Sequence, residues 1–269
     1  MKYKLLGVLI SVAVFAITAL PTFADGPNVP QPRSKPSAAE MARTRQKEIQ
    51  THHMLQMVDR YLEGKTSYAA LEAVVQAYND HWAKGIPARQ TIERLTAVDP
   101  NLGLTLVAQE TSYWCGPASA YMVLAYKGAW TDPSDPNRSL SQLHLSEDLG
   151  TTESGTDLNN VPGVLNHWTS TGYYINSWSP STSDVLDYTR TDYANNYPLI
   201  YDAHMSDQNG YLEGYSEEIW HYVAGDGYDL TDQTVHYYDP NGRNQAAYGD
   251  HWIPASTMSG VMSDLGMTW

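Results

Sequence analysis

The stretch that decides the fold runs Gln109-Glu-Thr-Ser-Tyr-Trp-Cys115-Gly-Pro-Ala-Ser-Ala-Tyr-Met-Val-Leu-Ala-Tyr-Lys-Gly128. It contains Cys115, the single cysteine of a chain of 269 residues. Apolar helix formers follow the cysteine and Gly128 ends them, so the pattern predicts a helix over 116–127 that begins beside the thiol. A helix N-terminus favours a thiolate because its unpaired N–H groups and its dipole stabilise negative charge. Cys115 is therefore a candidate nucleophile, and a small buried hydrophobic residue is the alternative interpretation.

The N-terminus has the pattern of a secretory signal peptide. Lys2 and Lys4 precede an apolar run over residues 5–20, and a small-residue cleavage site follows at Ala24. We expect residues 1–24 to be removed and the protein to be secreted, with an uncleaved anchor as the alternative. A secreted chain with one cysteine cannot form an internal disulfide, so the Cys115 thiol needs another explanation.

Composition narrows the class of partner. The formal net charge is −14, and it becomes −16 once residues 1–24 are removed, because they contain two lysines and no acids. Such a charge disfavours nucleic acid and anionic membranes as partners.

The chain has 20 tyrosines and 8 tryptophans but only 2 phenylalanines. This balance predicts partly exposed rings, either on half-exposed strands or on a carbohydrate- or peptide-binding surface.

The chain divides into two parts after a Pro-rich linker at 25–37. Residues 38–98 form a helical segment, with helices expected at 38–63, 67–84 and 88–97. This helical segment is a pro-segment that covers a site, a docking module or a structural brace, and the sequence does not choose among the three. Residues 101–269 contain the cysteine helix and then strands at 197–201, 221–225 and 234–239, which is an α+β arrangement.

A catalytic thiol needs an imidazole, and nine histidines are available. His221 begins a predicted strand and Asp239 ends the next one, so a symmetric hairpin about Leu230 places the two side chains opposite each other. A slip of one residue would put them on opposite faces of the sheet. His251, beside Asp250, is the competing histidine.

These motifs resemble the papain-like cysteine peptidases of family 39, the bacteriocin-leader-processing type, and within them a secreted stand-alone branch. The similarity rests on the Gln-x5-Cys-Gly-x-Ala pattern at 109–118, the His-Tyr-Val strand at 221–223 and Asp-Pro at 239–240. It implies a papain-like fold in which Cys115 is the nucleophile and His221 the general base and acid. It further implies that Asp239 orients the imidazole and that Gln109 contributes to the oxyanion hole with the Cys115 N–H.

The same resemblance has limits. Trp114 replaces the acidic residue that often precedes the cysteine in transporter-linked members, and the chain has no ATP-binding cassette. We therefore do not extend the leader-peptide substrate of those members to this protein.

No zinc-peptidase, phosphate-loop or serine-nucleophile motif is present, so we expect neither a cofactor nor a metal. The acidic runs at 132–137 and 229–232 predict turns rather than calcium loops. The expected function is a secreted cysteine peptidase acting on peptides or proteins. The alternatives are amide transfer or deamidation, or a non-catalytic peptide- or glycan-binding protein.

Overall fold

Helices and an antiparallel sheet make up the part of the chain that the computed structural model describes, residues 30–96 and 101–269. The predicted signal peptide at 1–24 lies outside these residues, so secretion stays a prediction. The linker is described only from residue 30, and it has no regular structure up to residue 37. Within the described ranges, no helix combines the length and the apolar character that crossing a bilayer requires.

The helical segment contains three helices: α1 (Ala38–Leu62), α2 (Tyr68–His81) and α3 (Ala88–Leu95). Their starts follow from local capping. Ser37 forms a capping box with Glu40, and Ser67 accepts a hydrogen bond from the Ala70 N–H. All three begin within one residue of the expected positions and end one to three residues earlier.

The remaining elements confirm the predicted α+β class. The helices are α4 (Cys115–Tyr126), α5 (Gln142–Asp148), a 3-10 turn (Leu158–Asn160), α6 (Val161–Thr169), α7 (Thr182–Ala194) and α8 (Ala255–Val261). The strands are β1 (Thr131–Asp132), β2 (Asp135–Ser139), β3 (Asn176–Trp178), β4 (Leu199–Met205), β5 (Ile219–Asp229), β6 (Thr234–Asp239), β7 (Gly249–Pro254) and β8 (Gly266–Thr268). The main sheet has the order β3-β8-β4-β5-β6-β7, and all its neighbouring strands are antiparallel.

The β5–β6 hairpin differs from the symmetric pairing that the sequence suggested. Its turn is centred beyond Leu230, because Asp229 pairs with Thr234. If the pairing at this turn continued unchanged along both strands, an odd number of residues would separate Asp239 from the position opposite His221. The two side chains would then lie on opposite faces of the sheet. A β-bulge at Asp226 inserts one extra residue, and beyond it Ala224 pairs with Tyr238 and Gly225 with Tyr237. The predicted register was therefore wrong by two residues, a shift that leaves His221 and Asp239 on one face.

The helical segment is anchored in the core through Lys47, which lies on α1 and is fully buried. Its Nζ donates to the carbonyl oxygens of Tyr173 at 3.0 Å and Trp269 at 2.9 Å. The same ammonium lies 3.6 Å from the centre of the Tyr173 ring and 4.2 Å from that of Trp269. Burial lowers the pKa of Lys47 to about 7, and the nearby Asp192 charge opposes that shift. These contacts join residues 47, 173 and 269, which favours the structural brace among the three interpretations.

The tyrosines follow the prediction of partly exposed rings only in part: Tyr113, Tyr121 and Tyr248 are half-buried, whereas others lie in the core. Several are fully buried, and their hydroxyls find partners inside the protein. Tyr173 donates to Asp192, Tyr174 to the Pro198 carbonyl, and Tyr201 is hydrogen-bonded to Thr189. Burial is possible because each hydroxyl is paired, so the high tyrosine content serves the core more than a surface. Among the described tryptophans, Trp130 and Trp252 remain well exposed.

Candidate active site

Cys115 is the first residue of α4, and it is only 1 % exposed. The helix begins there because Gly116 and Pro117 suit a first turn, where the proline lacks only an N–H that has no partner in the helix. Gly116 also has a packing reason: a Cβ at that position would lie 2.5 Å from the Thr156 hydroxyl oxygen. The N-terminal N–H groups of α4 are thus gathered at the thiol.

His221 and Asp239 meet on the β5–β6 hairpin. The His221 Nε2 lies 2.9 Å from the Asp239 Oδ1, and neither side chain has exposed surface. The backbone N–H of Asn241 donates to the same carboxylate oxygen at 2.8 Å. A buried carboxylate held in this way fixes both the orientation and the tautomer of the imidazole.

The surroundings favour the charged form of the His221 ring, the form that it takes when it accepts the Cys115 proton. Burial alone lowers the pKa of His221, but the Asp239 charge and hydrogen bond, with a smaller contribution from Cys115, outweigh burial and raise it to about 10. Nε2 is occupied by Asp239, which leaves Nδ1 for the thiol. Nδ1 makes no hydrogen bond of good geometry within the described residues, although the Cys115 side chain is close enough to contribute to the raised pKa of the ring. Contacts of this kind commonly tighten when substrate binds.

Gln109 lies on the segment that leads to Cys115, and it is 6 % exposed. Its backbone N–H donates to the Pro240 carbonyl at 2.8 Å, which docks the segment next to Asp239. Its Nε2 donates to the Thr111 carbonyl at 2.8 Å, so one of the two amide hydrogens remains for a further acceptor. The buried Oε1 has no partner within the described part of the chain.

Tyr215 is a site residue that sequence reasoning missed. Its hydroxyl donates to the Asp239 Oδ2 at 3.0 Å and accepts from the Asn241 Nδ2 at 3.1 Å. Its ring centre lies 5.5 Å from that of His221. Tyr215 comes from the irregular connection between β4 and β5, where no periodic pattern identifies it, so only the tertiary structure brings it to the pair.

We expect Tyr215→Phe to lower kcat for peptide hydrolysis about tenfold and to leave KM within about twofold, because one charge-assisted hydrogen bond to Asp239 is lost. The matched control is Tyr201→Phe, which removes a buried hydroxyl that is 2.7 Å from Thr189 and away from the pair. Steady-state kinetics and thermal unfolding of both variants check this. Equal losses of kcat in the two variants would mean that Tyr215 acts only through stability.

A second missed feature lies at the β-bulge. The Asp226 Oδ1 lies 2.6 Å from the His236 Nδ1, and both side chains are buried. The Asp226 Oδ2 accepts the N–H groups of Gly103 at 2.8 Å and Leu104 at 3.2 Å. The bulge that sets the face of His221 thus also ties down the start of the segment that carries Gln109.

The other candidate histidine lies elsewhere in the sheet. His251 lies on β7, where its Nε2 is 2.6 Å from the Ala247 carbonyl oxygen and its ring packs on Tyr237.

The acidic runs form turns: Asp132 accepts from the Ser134 backbone and hydroxyl, and Asp229 accepts from the Thr231 N–H.

Comparison with known proteins assigns this chain to a family. Among solved structures, the chain is similar to xylellain, a cysteine protease from Xylella fastidiosa, at 12 % identity and a TM-score of 0.43, over 65 % of this chain and 87 % of that one. It is also similar to digestive procathepsin L 3 of Tenebrio molitor larval midgut, at 11 % identity and a TM-score of 0.41, over 88 % and 93 % of the two chains. No curated protein sequence matches significantly. The model of the Peptidase_C39-like family matches residues 101–261, more than half of the chain. The protein therefore belongs to the Peptidase_C39-like family and is a cysteine peptidase with an α+β fold.

Proposed function

We propose that the protein hydrolyses peptide bonds through a Cys115–His221–Asp239 triad, with Gln109 and the Cys115 N–H as oxyanion donors. The observation that carries this proposal is the buried His221 ring, held by Asp239 on one nitrogen and next to Cys115. An imidazole held in this way can accept the thiol proton and later return it. The alternative of a binding protein on the same scaffold requires no such arrangement.

The reaction has two halves. In the first, His221 takes the thiol proton, and the Cys115 sulfur attacks the peptide carbonyl carbon while the C=O π electrons move to oxygen. Gln109 and the Cys115 N–H donate hydrogen bonds to this oxyanion. The imidazolium then gives its proton to the amide nitrogen, the C–N bond breaks, and a thioester on Cys115 remains.

In the second half, water attacks the thioester carbonyl carbon while His221 accepts a proton from it. The C–S bond breaks, the carboxylic acid product leaves, and the proton on His221 returns to Cys115. Asp239 keeps the ring aligned in both halves and stabilises its positive charge. Water as acceptor gives hydrolysis, whereas an amine acceptor would give amide transfer.

Mass spectrometry of a peptide mixture before and after incubation tests the proposal. We expect cleaved products that have gained one water per cut, and an acid-quenched thioester adduct on Cys115 that is absent from Cys115→Ala. Both should be missing from the Cys115→Ala reaction because no other cysteine is present. Conversion of Gln to Glu without cleavage would show a deamidase. An unchanged mixture and an unmodified thiol would support the binding protein.

A further inference from the structure

Gln142 places a polar amide on the buried face of α5. It is the first residue of that helix and is 2 % exposed. The helix begins there because the Ser141 hydroxyl accepts the His144 N–H at 3.2 Å. Leu145, one turn further along the helix, is fully buried. A glutamine in such a position is stable only if both ends of its amide find hydrogen-bond partners.

The partners of Gln142 are the peptide groups on the two sides of Gln109. The Gln142 Nε2 donates to the Ala108 carbonyl at 2.8 Å, and its Oε1 accepts the Glu110 N–H at 3.0 Å. The Gln109 N–H donates to the Pro240 carbonyl at 2.8 Å. Because a trans peptide group is planar and its C=O and N–H point in opposite directions, the group that joins residues 108 and 109 is held at both ends.

These three hydrogen bonds fix the direction of the Gln109 side chain. The two backbone dihedrals of a residue set the orientations of the peptide planes before and after its Cα. With both planes held, φ and ψ of Gln109 are fixed, and so is the direction of its Cα–Cβ bond. The Gln109 Nε2 then donates to the Thr111 carbonyl at 2.8 Å, and its second hydrogen is left for an oxyanion.

The other side of this segment rests on the loop that follows Asp239. Pro240 is the next residue, and its carbonyl also accepts the Gly242 N–H at 2.8 Å. A Cβ at Gly242 would lie 2.9 Å from the Ala108 Cβ, so the loop packs directly on the segment. Gln142 holds the segment from the side of α5. Without the Gln142 amide, only the Pro240 bond of the three would remain.

We infer that Gln142 is a positioning residue of the reaction, which holds Gln109 in the orientation in which its amide donates to the oxyanion. The inference rests on the proposed function, because the orientation of Gln109 matters only if Gln109 is an oxyanion donor. Gln142 acts through Gln109 alone. It therefore affects the steps that develop negative charge on the substrate carbonyl oxygen, and not the proton transfer between Cys115 and His221.

The test measures kcat of the full-length protein carrying Gln142→Met on a peptide that the wild type cleaves. Methionine has a similar length but no amide, so both hydrogen bonds are lost. We expect kcat to fall about tenfold while KM stays within about twofold. Gln109→Ala should lower kcat about a hundredfold. Adding Gln142→Met to Gln109→Ala should then change kcat by less than about twofold, because the group that Gln142 positions is already absent.

Two controls separate positioning from stability. Iodoacetamide alkylates the Cys115 thiolate without forming an oxyanion, so the alkylation rate of Gln142→Met should stay within about twofold of the wild-type rate. Asn166→Leu removes a comparable amide, whose Nδ2 and Oδ1 bond the carbonyl and the N–H of Tyr174 at 2.8 Å each. This variant should keep kcat within about twofold of the wild type, with thermal unfolding measured for both variants.

Gln142→Glu gives an independent readout if Gln142→Met does not fold. A protonated carboxyl keeps the one donor and one acceptor that Gln142 uses here, whereas an ionised carboxylate is an acceptor only and repels the Ala108 carbonyl. The ratio of the kcat of this variant to that of the wild type should therefore rise as the pH falls and the introduced carboxyl becomes protonated.

The outcomes distinguish this inference from the proposed function. A large loss in Gln109→Ala without any loss in Gln142→Met, or a ratio for Gln142→Glu that does not change with pH, would overturn the role of Gln142 and leave hydrolysis intact. A further tenfold loss when Gln142→Met is added to Gln109→Ala would do the same. Full activity of Gln109→Ala would overturn Gln109 as an oxyanion donor and this inference with it, and a wild type that cleaves no peptide would overturn the proposed function itself.

Discussion

Replacing His221 by alanine is expected to lower kcat for peptide hydrolysis by about three orders of magnitude or more, because His221 is the base that the described structure holds beside Cys115 to take its proton. His221 is the histidine whose pKa responds to both Asp239 and Cys115. Progress curves with a peptide that the wild-type protein cleaves measure the effect. The matched control is His251→Ala, a histidine of the same sheet that contacts the Ala247 carbonyl and should retain most of the activity.

The pH dependence of kcat/KM tests the His221–Asp239 pair while the imidazole ring is retained. Asp239 raises the pKa of His221 to about 10 against the effect of burial, so the imidazolium of the wild type persists until the pH approaches that value. Asp239→Asn removes the raising charge, and burial then lowers the pKa of His221. We therefore expect the alkaline limb of kcat/KM to move to lower pH in Asp239→Asn. An unmoved alkaline limb, or a loss of activity only in His251→Ala, would refute the assignment of His221.

Deleting residues 25–98 is expected to abolish cooperative thermal unfolding, because this change removes Lys47 and the apolar faces of α1, α2 and α3 from the core. Buried residues of these helices, Met54, Leu71 and Ile92 among them, belong to the same apolar cluster as Cys115 and Val223. The carbonyl groups of Tyr173 and Trp269 would lose the ammonium that bonds them. Circular dichroism during heating, with activity measured alongside, checks this expectation.

A point substitution tests the contribution of Lys47 to stability without removing the helical segment. Lys47→Ala should cost about 3–5 kcal/mol of unfolding free energy, since it leaves a cavity, removes a hydrogen bond from the carbonyl groups of Tyr173 and Trp269, and removes a charge that stabilises Asp192. This loss is a large share of the unfolding free energy of a typical protein, which is about 5–15 kcal/mol. Lys65→Ala, on an exposed lysine paired with Glu63, should cost less than about 1 kcal/mol. A truncated protein that unfolds cooperatively and is more active than the full chain would show a removable pro-segment instead.

Much of this site could be predicted because its signals are local. The helix that begins at Cys115 follows from the glycine, proline and apolar residues after it, and capping serines mark the starts of α1 and α2. The choice of His221 and Asp239 came from strand positions that the structure brings into contact. In contrast, the pattern did not predict α7, whose Ser181 and Asp184 form a capping box but whose threonines and aspartates interrupt the apolar stripe.

The sequence by itself determined the helices of the helical segment, the helix at Cys115, the α+β class and the residues around which a thiol site could form, because capping and periodicity act over a few neighbouring residues. Tertiary structure alone decided the strand register. One extra residue at Asp226 restores the face that His221 shares with Asp239, and that bulge is held by His236 and by the backbone of residues 103 and 104. The position of Tyr215 over the pair and the burial of Lys47 were decided in the same way. Each depends on groups distant in sequence, whose mutual distance no local pattern encodes.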